Sequence, residues 1–93
     1  MPSRSEHKKI ALEVAVQAHL DAAANARGYD NIVSACSYAA AVNAFQSEGL
    51  AYLNWRAAVW QYCYSVLADV QAGNRVAPTA SDLIAELPTL VLP

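Results

Sequence analysis

The sequence predicts a small all-α protein: a helical bundle of three main helices and a short C-terminal fourth, with a long aromatic-rich third helix and an extended apolar tail. Three observations predict it. Apolar residues recur at helical spacing through alanine-rich stretches. Both long stretches stop at a glycine, the residue that takes a left-handed turn without steric cost. The one segment with strand-like residues, Ile32-Val33 and Tyr38, has no second strand with which to pair.

Helix one runs from about Ser5 to Ala26, with Leu12, Val16, Leu20, Ala23 and Ala24 on one face and Gly28 as its stop. Asp30 and Asn31 can each set a side-chain oxygen over free backbone amides, so Ile32 to about Val42 is expected as a second, shorter helix. Ala35, Ala39, Ala40 and Ala41 favour helix over strand there. Helix three starts near Phe45 to Ser47, runs to Ala72 and closes at Gly73-Asn74. From Gln46 it spans roughly 40 Å, whereas a compact chain of this length is only about 32 Å across. The fold is therefore elongated, or the helix kinks near Gly49, or it projects into an assembly. One of its faces carries Leu53, Ala57, Trp60, Tyr64 and Leu67, and an adjoining one carries Tyr52, Trp55, Val59, Cys63, Val66 and Val70. Asn54, Gln61, Ser65 and Asp69 leave only a narrow polar stripe, so most of this helix needs cover. Thr79 and Asp82 mark the start of a fourth helix over Ala80 to Glu86, which Pro88 stops. Thr89 to Pro93 then form an apolar tail that either packs back or docks onto a neighbour. All of this reads as a single domain over residues 1–93, frayed at 1–4.

With 56% hydrophobic and 15% charged residues, the chain is too apolar to stay disordered. A domain this small hides only about 60% of the surface its unfolded chain exposes, so part of the apolar excess is expected to be an interface. A net charge of -2 argues against nucleic-acid binding. Arg4, Lys8 and Lys9 are the only basic cluster, and Glu6 and Glu13 beside them suit a solvated first turn. Met1 to Lys9 is too polar for a secretory signal, so folding in a cytoplasm is expected. Leu50 to Ala68 is long enough to suggest a membrane span. Arg56 opposes it, because a central arginine costs about 2.5 to 3.5 kcal/mol on insertion. No membrane association is expected.

Chemistry-bearing patterns are sparse. His7 and His19 lack a glutamate three positions before them, so the signature of di-iron bundles is missing and no metal is expected. Cys36 and Cys63 have no metal or disulfide spacing and read as small buried hydrophobes. A Cys36 or Cys63 pairing with His19 is the only nucleophile worth naming, and nothing near it suggests activation. The carboxylates are scattered, and Gly28, Gly49 and Gly73 are too far apart for a phosphate loop. No catalytic residue and no cofactor are expected.

The aromatic constellation is the richest feature. Tyr52, Arg56 and Trp60 recur every four residues, which on a helix can seat the guanidinium between two rings for about 0.5 to 2 kcal/mol. Tyr52, Trp55, Arg56, Trp60 and Tyr64 are therefore the candidates for a core or an interface, with Leu90, Val91 and Leu92 of the tail beside them. A sugar-stacking platform fits less well, since one helix presents few convergent polar groups. If Trp60 is a full core residue, replacing it with alanine should cost about 3 to 5 kcal/mol.

One resemblance runs through these features. Arg27-Gly28-Tyr29-Asp30, Ser37-Tyr38-Ala39, Glu48-Gly49, Trp55-Arg56-Ala57-Ala58-Val59-Trp60, Val70-Gln71-Ala72-Gly73, Pro78-Thr79 and Leu83-Ile84-Ala85-Glu86-Leu87-Pro88 together resemble a family of bacteriophage tail-associated proteins. Members are small proteins or C-terminal domains of longer tail or tail-fibre proteins. The similarity covers nearly the whole chain from about Val16, and the combination of phrases is more specific than any one alone. It implies a role in the virion tail or its assembly, inside the bacterial host during assembly, with no catalytic residues to carry over. Homo-oligomer contacts or a phage tail or fibre protein are the implied partners. An assembly chaperone missing from the finished particle, and a regulator that binds a host enzyme, are the alternatives.

Overall fold

The computed structural model describes residues 4–93, with side chains from residue 6 onward. Its elements are α1 (Arg4–Asn25), α2 (Ile32–Ser37, followed by a 3-10 turn at Tyr38–Ala40), α3 (Gln46–Gln71) and α4 (Ala80–Glu86). Among the described residues there is no strand. The protein is all-α. Of the frayed start expected at 1–4, residues 1–3 lie outside the described residues, and Arg4 opens α1.

Both glycine stops form as read. Gly28 and Gly73 have φ of 90° and 78°, and each supports the paired bonds of a Schellman turn. Tyr29 N donates to Ala24 O and Gly28 N to Asn25 O, and Asn74 N donates to Asp69 O and Gly73 N to Val70 O. Thr79 Oγ1 accepts from Asp82 N at 3.2 Å, so α4 begins and ends where its residues indicate.

The second helix is shorter than expected, stopping at Ser37 where the sequence suggested about Val42. Asn43 supplies the physical reason. Its Nδ2 donates to Tyr38 O at 3.0 Å and Ala41 O at 2.7 Å, while its Oδ1 accepts from Phe45 N at 2.7 Å. A short polar side chain thus takes the carbonyl of Tyr38 that one more helical turn would have used, and reverses the chain into α3.

The core draws Val16, Leu20 and Ala24 from α1, Ile32 and Ala35 from α2, and Tyr52, Trp55, Val59 and Val66 from α3. Leu83 and Leu87 complete it from α4 and its end. Full burial of a side chain such as Leu20 or Ile32 contributes about 1.5 to 3 kcal/mol. Tyr52 meets Ala23, and Trp55 meets His19, so the two long helices run antiparallel. At Gly49 the backbones of α3 and the 3-10 turn nearly touch: an added Cβ would sit 2.7 Å from Ala39 N and 3.0 Å from the Tyr38 carbonyl carbon. Of the three outcomes left open for the long helix, the fold takes elongation. The extents are 45 × 25 × 20 Å and the radius of gyration is 14.9 Å, against about 12 Å for a compact chain of this size.

Candidate functional site

Around α3 the candidate residues divide by direction. Tyr52 is wholly buried, and its hydroxyl donates to Ala23 O at 2.9 Å. Trp55 is also buried, with Nε1 donating to Pro88 O at 2.8 Å. These two point to α1 and the tail. Arg56 and Trp60 are half-buried, and Tyr64 is 68% exposed. Arg56, Trp60 and Tyr64 turn to a different side, onto an open groove.

The guanidinium sandwich between Tyr52 and Trp60 does not form, because residues eight apart on a helix are offset by most of a quarter turn. Tyr52 lies where water is excluded, and a guanidinium cannot follow it without losing hydration. Arg56 instead reaches the Cys36 thiol. A different aromatic arrangement takes its place. Rings adjoin in sequence from Phe45 to Tyr38, Tyr29, Tyr52, Trp55 and His19, with centroids 5.5 to 6.4 Å apart. Edge-to-face geometry dominates, as ring quadrupoles prefer. This spine joins the exposed α2–α3 loop to the buried junction with α1.

The tail packs back on its own helices. Leu90 and Leu92 lie half-buried against the core, and Val91, on the alternate side of the extended chain, is 78% exposed. Trp55 anchors the segment at Pro88.

The groove itself lies between the first half of α1 and the second half of α3, with a volume of about 780 Å³. Its walls include Leu12, Val16, Trp60, Cys63, Leu67 and Val70. Charged residues stand at its rim: Glu6, Lys8, Lys9 and Glu13 from α1, and Arg56 from α3. Lys8 Nζ donates to Ala77 O, and Lys9 lies 4.0 Å from Glu13. The segment before α4 and α4 itself also reach the groove, through Ala77, Pro78 and Leu83, and at the end of α4 Tyr62 and Arg75 both hold Glu86. Arg75, with Tyr62 second, holds the Glu86 carboxyl down to about 2, and the Tyr62 phenol is raised by donating to it. Neither this latch nor the use of Asp21, which accepts from Ile32 N at 3.0 Å, was legible from local spacing.

Cys36 and Cys63 are only half-buried, a correction to their reading as buried hydrophobes, and neither is in a disulfide. Burial raises both thiols, with Arg56 opposing the shift at Cys36. A raised thiol carries less of the reactive thiolate. Among the described residues, no group of three or more His, Cys, Asp or Glu side chains is placed to share a metal ion. Among the same residues, no helix is long and apolar enough to cross a membrane. Against known proteins, no family model matches the chain, and neither does any curated protein or any solved structure.

Proposed function

We propose that this protein is a non-catalytic module of a bacteriophage tail or tail fibre, acting through helix-mediated contacts with other proteins. The tail-associated phrases from Arg27 to Pro88 support the setting. The observation that carries the contact role is the open groove: two long helices present Leu12, Trp60, Leu67 and Val70 to a space of about 780 Å³, which none of the described residues fills. A groove with an apolar floor and a few charges at its rim is the shape into which a partner's helix or side chains fit.

Mass spectrometry of purified particles from the phage that encodes the chain tests the reading. The expected result is this protein at fixed stoichiometry with a tail or fibre protein. Loss from finished particles, with capture on a tail protein before assembly, would transfer the role to an assembly chaperone. Recovery on a host enzyme alone would overturn the tail setting.

A further inference from the structure

The last part of the chain is attached differently from the rest. Among the described residues, no backbone–backbone hydrogen bond joins residues 75–93 to those before them. Side chains hold this limb instead: Lys8 Nζ donates to Ala77 O at 3.3 Å, Tyr62 Oη to Glu86 Oε1, and Trp55 Nε1 to Pro88 O at 2.8 Å. Its apolar attachments are the buried Leu83 and Leu87, with Ile84, Leu90 and Leu92 half-buried against the core. Within the limb the two ends are tied together, because the Arg75 guanidinium donates twice to the Glu86 carboxylate, each time at 2.9 Å, across eleven residues. The helices α1, α2 and α3 are joined without it, by the buried Leu20, Ala24, Ile32 and Tyr52 and by the bonds from Ile32 N to Asp21 and from the Tyr52 hydroxyl to Ala23 O.

We propose that residues 75–93 form a strap that opens as one unit from α1 and α3 while the other three helices stay folded, uncovering Trp55 and taking Ala77, Pro78 and Leu83 out of the groove wall. Segments that open locally are those with few backbone bonds to their neighbours and a small apolar contact of their own, and the strap has both properties. Gly73 precedes it, and among the described residues no atom beyond its chain neighbours lies within 4 Å of where a Cβ would stand, which leaves room for a hinge. The Arg75–Glu86 pair makes the strap a unit, since neither end can leave without the other. Opening changes what the groove can admit, because the strap supplies part of its wall. It is a property of the chain alone, whatever enters the groove.

Hydrogen exchange of the full chain, followed by NMR, tests the strap. Trp55 carries two reporters: its backbone amide belongs to α3, and its indole proton is held by Pro88 O. A detached helix of seven residues is too short to persist, so the α4 amides exchange in the open state. The protection of the Trp55 indole proton should match that of the Leu83 and Leu87 amides, and should lie about tenfold or more below that of the Trp55 and Val59 amides. Tyr62→Phe keeps the ring and removes one attachment, and should lower strap protection by about three- to tenfold. Tyr52→Phe should lower the protection of the Trp55 and Val59 amides about fivefold or more and leave the strap values unchanged, because the bond to Ala23 O persists while the strap is open. Equal protection of the two Trp55 protons, or an indole proton that exchanges apart from the α4 amides, overturns the proposal. So does a loss of strap protection in Tyr52→Phe, or none in Tyr62→Phe.

Discussion

Where α1 ends, Arg27 N turns to Ala24 O at 3.1 Å, and the Ala23 carbonyl is left for the Tyr52 hydroxyl, in a place where Tyr52 is wholly buried. Tyr52→Phe removes that donor and leaves a buried acceptor unpaired, which should cost about 1 to 3 kcal/mol in urea denaturation with an unchanged slope. Gly49 has the opposite lesson for a helix. Alanine is normally favoured over glycine there by about 1 kcal/mol, but its Cβ would meet backbone at 2.7 Å. Gly49→Ala should therefore destabilise, by about 1 to 3 kcal/mol, and a raised melting temperature would contradict the close approach. Trp60 half-lines the groove and half-covers the core. Its replacement by alanine should cost the monomer about 1 to 2 kcal/mol, short of the 3 to 5 expected for a full core tryptophan.

Helix α2 has six residues, too few to stand on its own propensity, and it depends on caps from two directions. Asn31 Oδ1 accepts from Ser34 N at 2.8 Å. Asp21, a full turn from the end of α1, accepts from Ile32 N at 3.0 Å, with Gln17 holding its carboxylate. Asp21→Ala should cost about 0.5 to 2 kcal/mol, and hydrogen exchange at the Ile32 amide should speed up more than at core amides of α3. Equal protection in the variant would show that the cap is dispensable. The Asn31 cap could be read because it lies three residues from its amide. Asp21 could not, because eleven residues separate it from Ile32 and only the α1–α2 packing brings them together.

The assembled protein has an acid and an alkaline limit of stability with different causes. Glu86 is held down to about 2 against an ordinary value of 4.5. Its contribution is therefore present above that ordinary value and is lost as pH falls through about 2. Tyr29 is pushed up to about 12 by burial and by donating to Glu48, and Tyr52 and Tyr62 shift in the same direction. A raised phenol contributes stability that is complete below its unfolded value near 10 and disappears as pH rises through about 12. Urea midpoints measured across pH should fall on the acid side below about 4.5 and on the alkaline side above about 10. Glu86→Gln should flatten the first limb and Tyr29→Phe the second. An unchanged limb in either variant would remove that residue from the account.

Local rules settle the helices of this chain because each rule acts within a few residues: the periodic apolar face of α1, the glycine at either stop, and the threonine cap of α4 all lie close to what they control. They also show how little polar surface α3 carries, though the fold leaves Leu50, Leu53 and Tyr64 of that helix exposed. Which face is covered by what depends on contacts between residues far apart in the chain. The choice of Tyr52 and Trp55 for the interior, of Arg56 and Tyr64 for the groove, and of Leu90 and Leu92 for the chain's own core came from how α2, α4 and the tail pack on α1 and α3. Volume and backbone polar groups had to be satisfied there, and no periodicity along α3 distinguishes a face that the same chain covers from one that stays open.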